Sequence, residues 1–374
     1  MVPVSVQEAA SRRGVSRRDF LKFCSLMTGV LAMPRAFSER IEKALASPAR
    51  LPIIWLEFQD CAGCTEALLR ATQPTVSQLV LDVLSVDYHE TIMAAAGNLA
   101  EEAKEATIKA GGYLLVVEGS IPKGDGAYYC TIGGKTAQQL LAEAAANAVA
   151  VVAVGNCATF GGWPIASPNP TSATYVTELV TDKPVLNLPG CPYNPVNLTA
   201  TVVHFLTFGE LPAMDELHRP LFAYGSRIHD NCPRRGHFDA GEFVVAWGDE
   251  GHRKGWCLYK MGCKGPVTFH NCPAVEYNDG TSWPIKAGHG CIACSEPGFW
   301  DLEGGIYGLA DLQRYAPPDT YAPVQLPTPK IDPASAGIIG GVAGLAIGAA
   351  GVAAYKALTK PDEEDKAPAA GKKQ

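Results

Sequence analysis

The sequence contains twelve cysteines among 374 residues, and their spacing is its first chemically informative feature. Thiols in such number indicate one of two kinds of structure, a disulfide framework or a set of metal sites. A chain of this length can stabilise itself by burying an apolar core, so it does not require many disulfides. The grouping of the cysteines therefore bears on which of the two applies.

Two groups of candidate ligands occur in the second half of the sequence. A histidine three residues before a cysteine, in a cysteine-rich region, is a candidate metal ligand. The histidine group consists of His229, Cys232, Cys257 and Cys263, and the three-cysteine group consists of Cys272, Cys291 and Cys294. The three-cysteine group has no fourth cysteine nearby, which matches the ligand count of a [3Fe–4S] cluster.

Five short apolar runs in the first half predict β-strands. Helix-compatible segments separate them, such as Glu66–Ala71 and Thr136–Ala148. Alternation of this kind predicts a parallel α/β sheet. The alternation fades after about residue 215, where turns become dense. The five predicted strands are Ile53–Phe58, Leu79–Val86, Tyr113–Glu118, Ala150–Gly155 and Pro184–Leu188.

Four cysteines follow the ends of three of these strands, and we call them the edge group: Cys61, Cys64, Cys157 and Cys191. The carboxyl ends of parallel strands meet at one edge of a sheet, so these four side chains are expected to lie together. Four thiolates suit either a [4Fe–4S] cluster or zinc, and two disulfides remain an alternative. Cys24 lies near the N-terminus, and Cys130 is interpreted as a buried thiol. The other ten cysteines and His229 make eleven candidate ligands.

The N-terminal segment has the features of a twin-arginine export leader. Ser16-Arg17-Arg18-Asp19-Phe20-Leu21-Lys22 is followed by an apolar stretch from Phe23 to Met33, and Ala44-Leu45-Ala46 offers a cleavage site. Proteins exported by this route are usually folded and loaded with cofactor beforehand. Cysteines already committed to a cluster could not form disulfides, so the leader, residues 1–46, favours metal sites.

The C-terminal segment predicts a membrane anchor. Ala336–Tyr355 is 20 residues long and uncharged, enough for a helix to cross a hydrocarbon core. Lys356 and Lys360 follow it and favour a cytoplasmic C-terminus. Residues 317–335 are Pro-rich and predict a linker, and residues 356–374 predict a solvated tail. A flexible Gly/Ala-rich tail is the alternative.

Composition and charge exclude one class of partner. Hydrophobic residues make up 47% of the chain, which permits a packed core. The formal net charge is −7. Nucleic-acid binding requires a basic face that neutralises phosphates, so we expect no nucleic-acid partner.

Six segments around the candidate ligands are together highly specific, although no single Cys-x-x-Cys would be. They are Asp60–Glu66 (DCAGCTE), Gly155–Gly162 (GNCATFGG), Pro189–Pro192 (PGCP), Asn231–Gly241 (NCPRRGHFDAG), Gly255–Gly265 (GWCLYKMGCKG) and Ala287–Pro297 (AGHGCIACSEP). In these segments, and along almost its whole length, the chain resembles the small subunit of [NiFe] hydrogenases. Its twin-arginine leader and anchor resemble the membrane-bound uptake branch.

The resemblance implies a flavodoxin-like domain over residues 47–215 and a cluster-binding domain of low regularity over residues 216–316. It implies three clusters: a proximal [4Fe–4S] cluster on the edge group, a distal [4Fe–4S] cluster on the histidine group and a medial [3Fe–4S] cluster on the three-cysteine group. Hydrogen would be split at a Ni–Fe centre in the large subunit, so this chain would contribute no catalytic residue. Electrons would pass through the clusters to a membrane cytochrome b, on the periplasmic face of the cytoplasmic membrane.

Two rival functions remain open at the level of sequence. An iron–sulfur subunit of the quinone-reductase type would share the edge group, but it would not have the ligands between His229 and Cys294. An exported binding protein stapled by zinc or disulfides would use the cysteines without any redox function. An absorption spectrum would distinguish an iron–sulfur protein, whose clusters absorb visible light, from a binding protein stapled by zinc or disulfides, which do not.

Overall fold

The computed structural model describes residues 17–45, 50–71, 84–278, 280–302 and 304–310. Its centre is a five-stranded sheet in which every neighbouring pair of strands is parallel. The strands of this sheet are β1 (Leu51–Glu57), β2 (Leu84–His89), β3 (Leu114–Glu118), β7 (Ala150–Val154) and β9 (Val185–Leu188). Their spatial order is β2–β1–β3–β7–β9. The predicted α/β fold with a parallel sheet is thus confirmed.

Four short strands form two small antiparallel pairs beside the sheet: β4 (Ile121–Pro122) with β8 (Ala173–Thr174), and β5 (Thr131–Ile132) with β6 (Lys135–Thr136). The helices up to residue 208 are α1 (Arg17–Val30), α2 (Ser38–Leu45), α3 (Gly63–Leu69), α4 (Asn98–Ala110), α5 (Ala137–Ala146), α6 (Gly155–Phe160), α7 (Gly162–Ile165), α8 (Val176–Leu179) and α9 (Pro195–Phe208). Those that follow are α10 (Leu221–Tyr224), α11 (Arg235–Asp239), α12 (Glu250–Lys254) and α13 (Cys272–Val275). Short 3₁₀ helices cover Arg35–Phe37, Gly124–Tyr129, Ile228–Asn231, Tyr259–Met261 and Gly265–Val267.

Both faces of the sheet are covered, which explains why its strands are continuous apolar runs. Alternate residues such as Leu115 and Val151 pack on one side with Leu140 and Leu141 of α5. Their neighbours, including Val152, pack on the other side in a cluster that contains Leu198 and Val202 of α9. A capping box of Thr136 and Gln139 begins α5, and the Asn194 side chain accepts the Val196 N–H at the start of α9.

The second half contains few regular elements, as the sequence predicts. Beyond α9, no described helix is longer than five residues. Its strand-like contacts are isolated bridges, such as Arg227 with Phe269 and Phe243 with Cys257. Three cysteines belong to its apolar core: Cys263, Cys272 and Cys291 pack with residues that include Ile228, Val244, Leu258, Trp283 and Ile285. Cysteine side chains therefore supply part of the packing of this half.

Residues 17–45 fold back on the body. Helices α1 and α2 bury Cys24, Met27 and Ile41 against Ala200 and Val203 of α9. Among the described residues no helix is both long enough and apolar enough to span a membrane. The predicted anchor, residues 336–355, lies outside the described residues, as do the linker and the tail.

Two details differ from the sequence-based expectations. The described part of the second strand runs from Leu84 to His89, so it ends three residues beyond the predicted Val86, and residues 79–83 of the prediction lie outside the described residues. The thiol of Cys130 is only partly buried, because it lies where the Gly124–Tyr129 turn meets β5. Neither difference moves an edge-group cysteine.

Leu115→Ala tests the central packing of the sheet. Leu115 is fully buried in β3, so the cavity should cost about 2–5 kcal/mol of stability. Leu99→Ala in α4 makes the same chemical change at a residue that is 68% exposed, so it should cost far less. Calorimetric unfolding temperatures of the two variants measure the difference, and equal shifts would contradict this description of the core.

Candidate functional site

The edge group gathers at the carboxyl ends of β1, β7 and β9. Cys61 and Cys64 follow β1, Cys157 lies in α6 directly after β7, and Cys191 lies three residues beyond β9. The parallel register fixes these ends side by side, since Val154 pairs with Glu118 and Leu188. Cys61 and Cys191 are exposed at this edge, whereas Cys64 is buried.

The thiols of the edge group are close enough to influence one another electrostatically. Burial, with added repulsion from Cys191 and Cys61, raises the pKa of Cys157 to about 12. Burial also holds the pKa of Cys64 well above its usual range, and the Glu118 carboxylate, Cys157 and Cys191 add to the effect. Deprotonated, metal-bound thiolates are the form in which such a site would be used, so metal binding would release these protons.

Glycines leave room around the edge-group sulfurs. A Cβ atom on Gly155 would lie 2.4 Å from Cys64 Sγ, and one on Gly162 would lie 2.4 Å from Cys157 Sγ. Both glycines have positive φ angles, +79° and +55°, which side-chain-bearing residues rarely adopt. Larger residues would therefore obstruct both the backbone and the space beside the sulfurs.

The histidine group lines one small cavity, which all four of its members share: His229, Cys232, Cys257 and Cys263. Burial, together with the charge of Arg235, lowers the pKa of His229 to about 4, so its imidazole is neutral at pH 7. The ring of Phe238 packs edge-on against it at 4.5 Å between centroids. Neutral imidazole and thiolates form a donor set suited to iron–sulfur clusters or zinc.

The three-cysteine group lies between the other two groups, with Cys272 and Cys291 buried and Cys294 partly exposed. Burial and then the nearby Cys294 thiol raise the pKa of Cys272 well above its usual range. For Cys291 burial again dominates, and Cys263 and Cys294 add to it. The Ala293 N–H donates to Cys291 Sγ at 3.4 Å. The structure thus brings together the three residues that the sequence predicts as a third site.

Direct contacts join the three groups in one series. Burial raises the pKa of Cys294 to about 11, while the backbone N–H of Cys191, in the edge group, acts to lower it. At the other end, the Cys291 N–H donates to Cys263 Sγ of the histidine group at 3.3 Å. The order is therefore edge group, three-cysteine group, histidine group.

All twelve cysteines are free thiols, which argues against the disulfide framework. Within the described ranges, no three histidine, cysteine, aspartate or glutamate side chains converge tightly enough to hold a single metal ion. Each of the eleven predicted ligands nevertheless lies beside the other members of its own group.

A buried polar network beside the edge group was not anticipated. Glu118 accepts the Cys64 N–H at 3.0 Å and the Thr65 hydroxyl at 2.7 Å. The same hydroxyl lies 2.8 Å from Glu57, and Trp55 Nε1 lies 3.3 Å from Glu118. Glu57 and Glu118 are the last residues of β1 and β3, so the strand-end rule that selected the cysteines would also have selected them. The network fixes the backbone that carries Cys64.

Comparison with known proteins relates this geometry to a family. Residues 224–307 match the model of the C-terminal region of the NiFe/NiFeSe hydrogenase small subunit, and residues 61–205 match that of the NADH ubiquinone oxidoreductase 20 Kd subunit. The quinone-reactive Ni/Fe-hydrogenase small chain of Wolinella succinogenes is 51% identical over 296 residues, covering 78% of this chain and 83% of that protein. The hydrogenase-2 small chain of Escherichia coli K12 is 41% identical over 362 residues, covering 96% and 97%. The chain belongs to the [NiFe] hydrogenase small-subunit family.

A solved structure agrees with the fold of this hydrogenase small subunit. The reduced, active Ni-Fe-Se hydrogenase of Desulfomicrobium baculatum superposes with a TM-score of 0.66 at 32% identity, over 70% of this chain and all of that chain. The protein is thus the electron-transferring, iron–sulfur subunit of a hydrogenase and pairs with a large subunit. The match over residues 224–307 excludes the quinone-reductase-type alternative, and family membership excludes the stapled binding protein.

Gly155→Ala tests the space around the edge group. The new methyl group would meet Cys64 Sγ, so we expect the purified variant to contain less iron than the unmodified protein. Gly134→Ala is a matched control, because Gly134 has nearly the same φ angle, +80°, with no atom within 4 Å of the added Cβ. Iron analysis and absorption spectra compare the two, and equal iron contents would contradict the role assigned to Gly155.

Proposed function

We propose that the eleven residues hold three clusters of defined type and order. The edge group would hold a proximal [4Fe–4S] cluster, the three-cysteine group a medial [3Fe–4S] cluster and the histidine group a distal [4Fe–4S] cluster. Ligand number supports this assignment, because four, three and four donors suit these cluster types. In this assignment residues 47–215 form the proximal-cluster domain and residues 216–316 the domain of the other two clusters.

The observation that carries the proposal is the unbroken series of contacts from Cys191 to Cys294 and from Cys291 to Cys263. Electrons transfer efficiently only between centres that lie close together, and neighbouring ligand groups here share backbone and sulfur contacts. Clusters bound at these groups would supply single-electron carriers.

In this proposal the residues of the chain hold the clusters, exclude water from them and set their reduction potentials. Trp283 and Ile285 pack with Cys272 and Cys291 and keep water from the middle of the series. Backbone donors at Arg234 and Ala293 face the sulfurs of Cys232 and Cys291. Hydrogen bonds to ligand sulfurs and the degree of burial set the reduction potentials of iron–sulfur sites. The neutral His229 contributes less negative charge than a thiolate would, which favours a higher potential at the distal end.

The partner arrangement follows from exposure. Cys61 and Cys191 are the exposed members of the edge group, so we expect the large subunit, with its Ni–Fe centre, to cover this edge. The relative in Wolinella succinogenes is named a quinone-reactive hydrogenase small chain, which supports electron transfer to a membrane acceptor such as a cytochrome b. The relative in Nitratidesulfovibrio vulgaris is named a periplasmic hydrogenase small subunit, which supports a periplasmic position. In this proposal residues 1–46 are the export leader and residues 336–355 the anchor.

Iron analysis of the purified heterodimer tests the cluster assignment. We expect about eleven cluster irons in the small subunit, and Cys272→Ser should remove about three of them with the three-iron signal in electron paramagnetic resonance. Cys130→Ser changes a thiol outside the three groups and should leave both unchanged. An iron content near eight in the unmodified protein, or zinc in place of iron, would refute the assignment.

Two changes test the export leader and the anchor separately. Replacing Arg17 and Arg18 with Lys should leave the enzyme in the cytoplasm, because the leader no longer directs it to the twin-arginine route.

Deleting residues 334–374 should release the enzyme from the membrane while dye-linked hydrogen oxidation persists. Cell fractionation with activity staining reports both, and membrane retention of the truncated protein would assign anchoring to another subunit.

A further inference from the structure

A histidine outside the predicted ligand set touches the three-cysteine group. His270 is 1% exposed, and its Nδ1 atom lies 3.0 Å from Cys272 Sγ. Two aromatic rings hold it in place: Tyr224 packs edge-on at 4.9 Å and Tyr277 lies nearly parallel at 6.3 Å between centroids. The other ring nitrogen, Nε2, is buried without a hydrogen-bond partner among the described residues. An apolar ring would pack equally well between the two tyrosines. The presence of a polar imidazole here therefore indicates a role other than packing.

Metal ligation does not provide that explanation. His270 Nδ1 points at a cysteine sulfur that is itself a proposed ligand, so the imidazole is placed to bond to the sulfur and not to iron. A cysteine bound to iron has no proton to donate, so Nδ1 must be the protonated nitrogen. The neutral ring then carries its only N–H on the atom that faces the sulfur.

We propose that His270 is a positioning residue that raises the reduction potential of the medial cluster by donating a hydrogen bond from Nδ1 to Cys272 Sγ. This inference rests on the proposed function, which assigns Cys272 to that cluster. Reduction adds negative charge that spreads onto the ligand sulfurs, so a donor to sulfur stabilises the reduced form more than the oxidised form. The effect should be large here because the site is buried and the bond is not weakened by water.

A second donor lies near the same sulfur. As a hydrogen-bond partner, the Tyr277 hydroxyl acts to lower the pKa of the Cys272 thiol. The same hydroxyl donates to the Pro192 carbonyl oxygen at 3.2 Å. The Tyr277 hydroxyl is therefore shared between two acceptors. In the described part of the chain, His270 Nδ1 contacts the Cys272 sulfur, and Nε2 has no hydrogen-bond partner. The larger share of the tuning is thus assigned to His270.

His270→Phe removes the donor and keeps an aromatic ring between the two tyrosines, and His270→Leu removes it with a smaller side chain. In the purified heterodimer, redox titration followed by electron paramagnetic resonance should give a lower midpoint potential for the three-iron signal in both variants. The potentials of the other two clusters should stay unchanged. His289→Phe is the matched control: it also lies two residues before a cysteine of the group, but its Nδ1 lies 2.8 Å from the Gly290 carbonyl oxygen.

The outcomes separate this inference from the proposed function. A three-iron signal whose potential is the same in the unmodified protein and in both variants would overturn the tuning role. An equal downward shift in His289→Phe would also overturn it, because the effect would then not depend on contact with the sulfur. Loss of the signal in both His270 variants, with the other clusters intact, would assign His270 to holding the cluster instead. Absence of any three-iron signal in the unmodified protein would refute the proposed function itself.

Discussion

The parallel register of β1, β3, β7 and β9 is the constraint on which the first half of the structure depends. Because Leu114 pairs with both Ile53 and Ala150, the strands end at nearly the same level, and the loops that follow them begin at one edge. Cysteines more than a hundred residues apart in sequence thereby become neighbours. Side chains of these strands are packed on both faces of the sheet, so a slip of one residue would disrupt the packing on both faces and displace the strand ends that carry the edge group.

The second half depends on the first through polar contacts rather than through a shared sheet. Asn156, beside Cys157, donates to the carbonyl oxygens of Cys294 and Glu296 at 2.9 and 3.0 Å. Asn197 of α9 and Asn271 exchange side-chain hydrogen bonds of 3.1 and 2.8 Å. Buried amides of this kind require their partners, so they fix the second half in one position relative to the strand ends. The three-cysteine group follows from this fixed position.

Strands and ligand groups could be predicted from the sequence where the local residue pattern matches the environment that the fold gives those residues. Continuous apolar runs identified all five strands, and the edge strand β2 extends past its predicted end at Val86, since the polar Asp87 interrupts the apolar run. Spacing also grouped the cysteines and His229 into the sets that lie together in the structure, while their role as cluster ligands stays a prediction. The packing of residues 17–45 on α9 could not be predicted, because an apolar helix shows where its apolar face lies but not which surface receives it. His270 was missed for a related reason: two residues from Cys272 it resembles an ordinary neighbour, and only the backbone path turns its ring toward the sulfur.

In the proposed cluster assignment, the position of the three-cysteine group explains why the reduction potential of its cluster would depend most on the surrounding protein. The edge group opens to the surface through Cys61 and Cys191, and the histidine group includes a neutral side chain, whereas in the middle group Cys272 and Cys291 are buried and Cys294 is only partly exposed. An added electron in an enclosed site is opposed by the low local dielectric, which depresses the reduction potential. Fewer thiolates and hydrogen-bond donors to sulfur would raise the potential. In the proposed assignment the middle group has both, since it has three cysteines, the Ala293 N–H donates to Cys291 Sγ and the His270 imidazole lies 3.0 Å from Cys272 Sγ. If the three-cysteine group holds the medial cluster, as proposed, burial would oppose its reduction, and hydrogen bonds from both the backbone and a side chain would offset that effect.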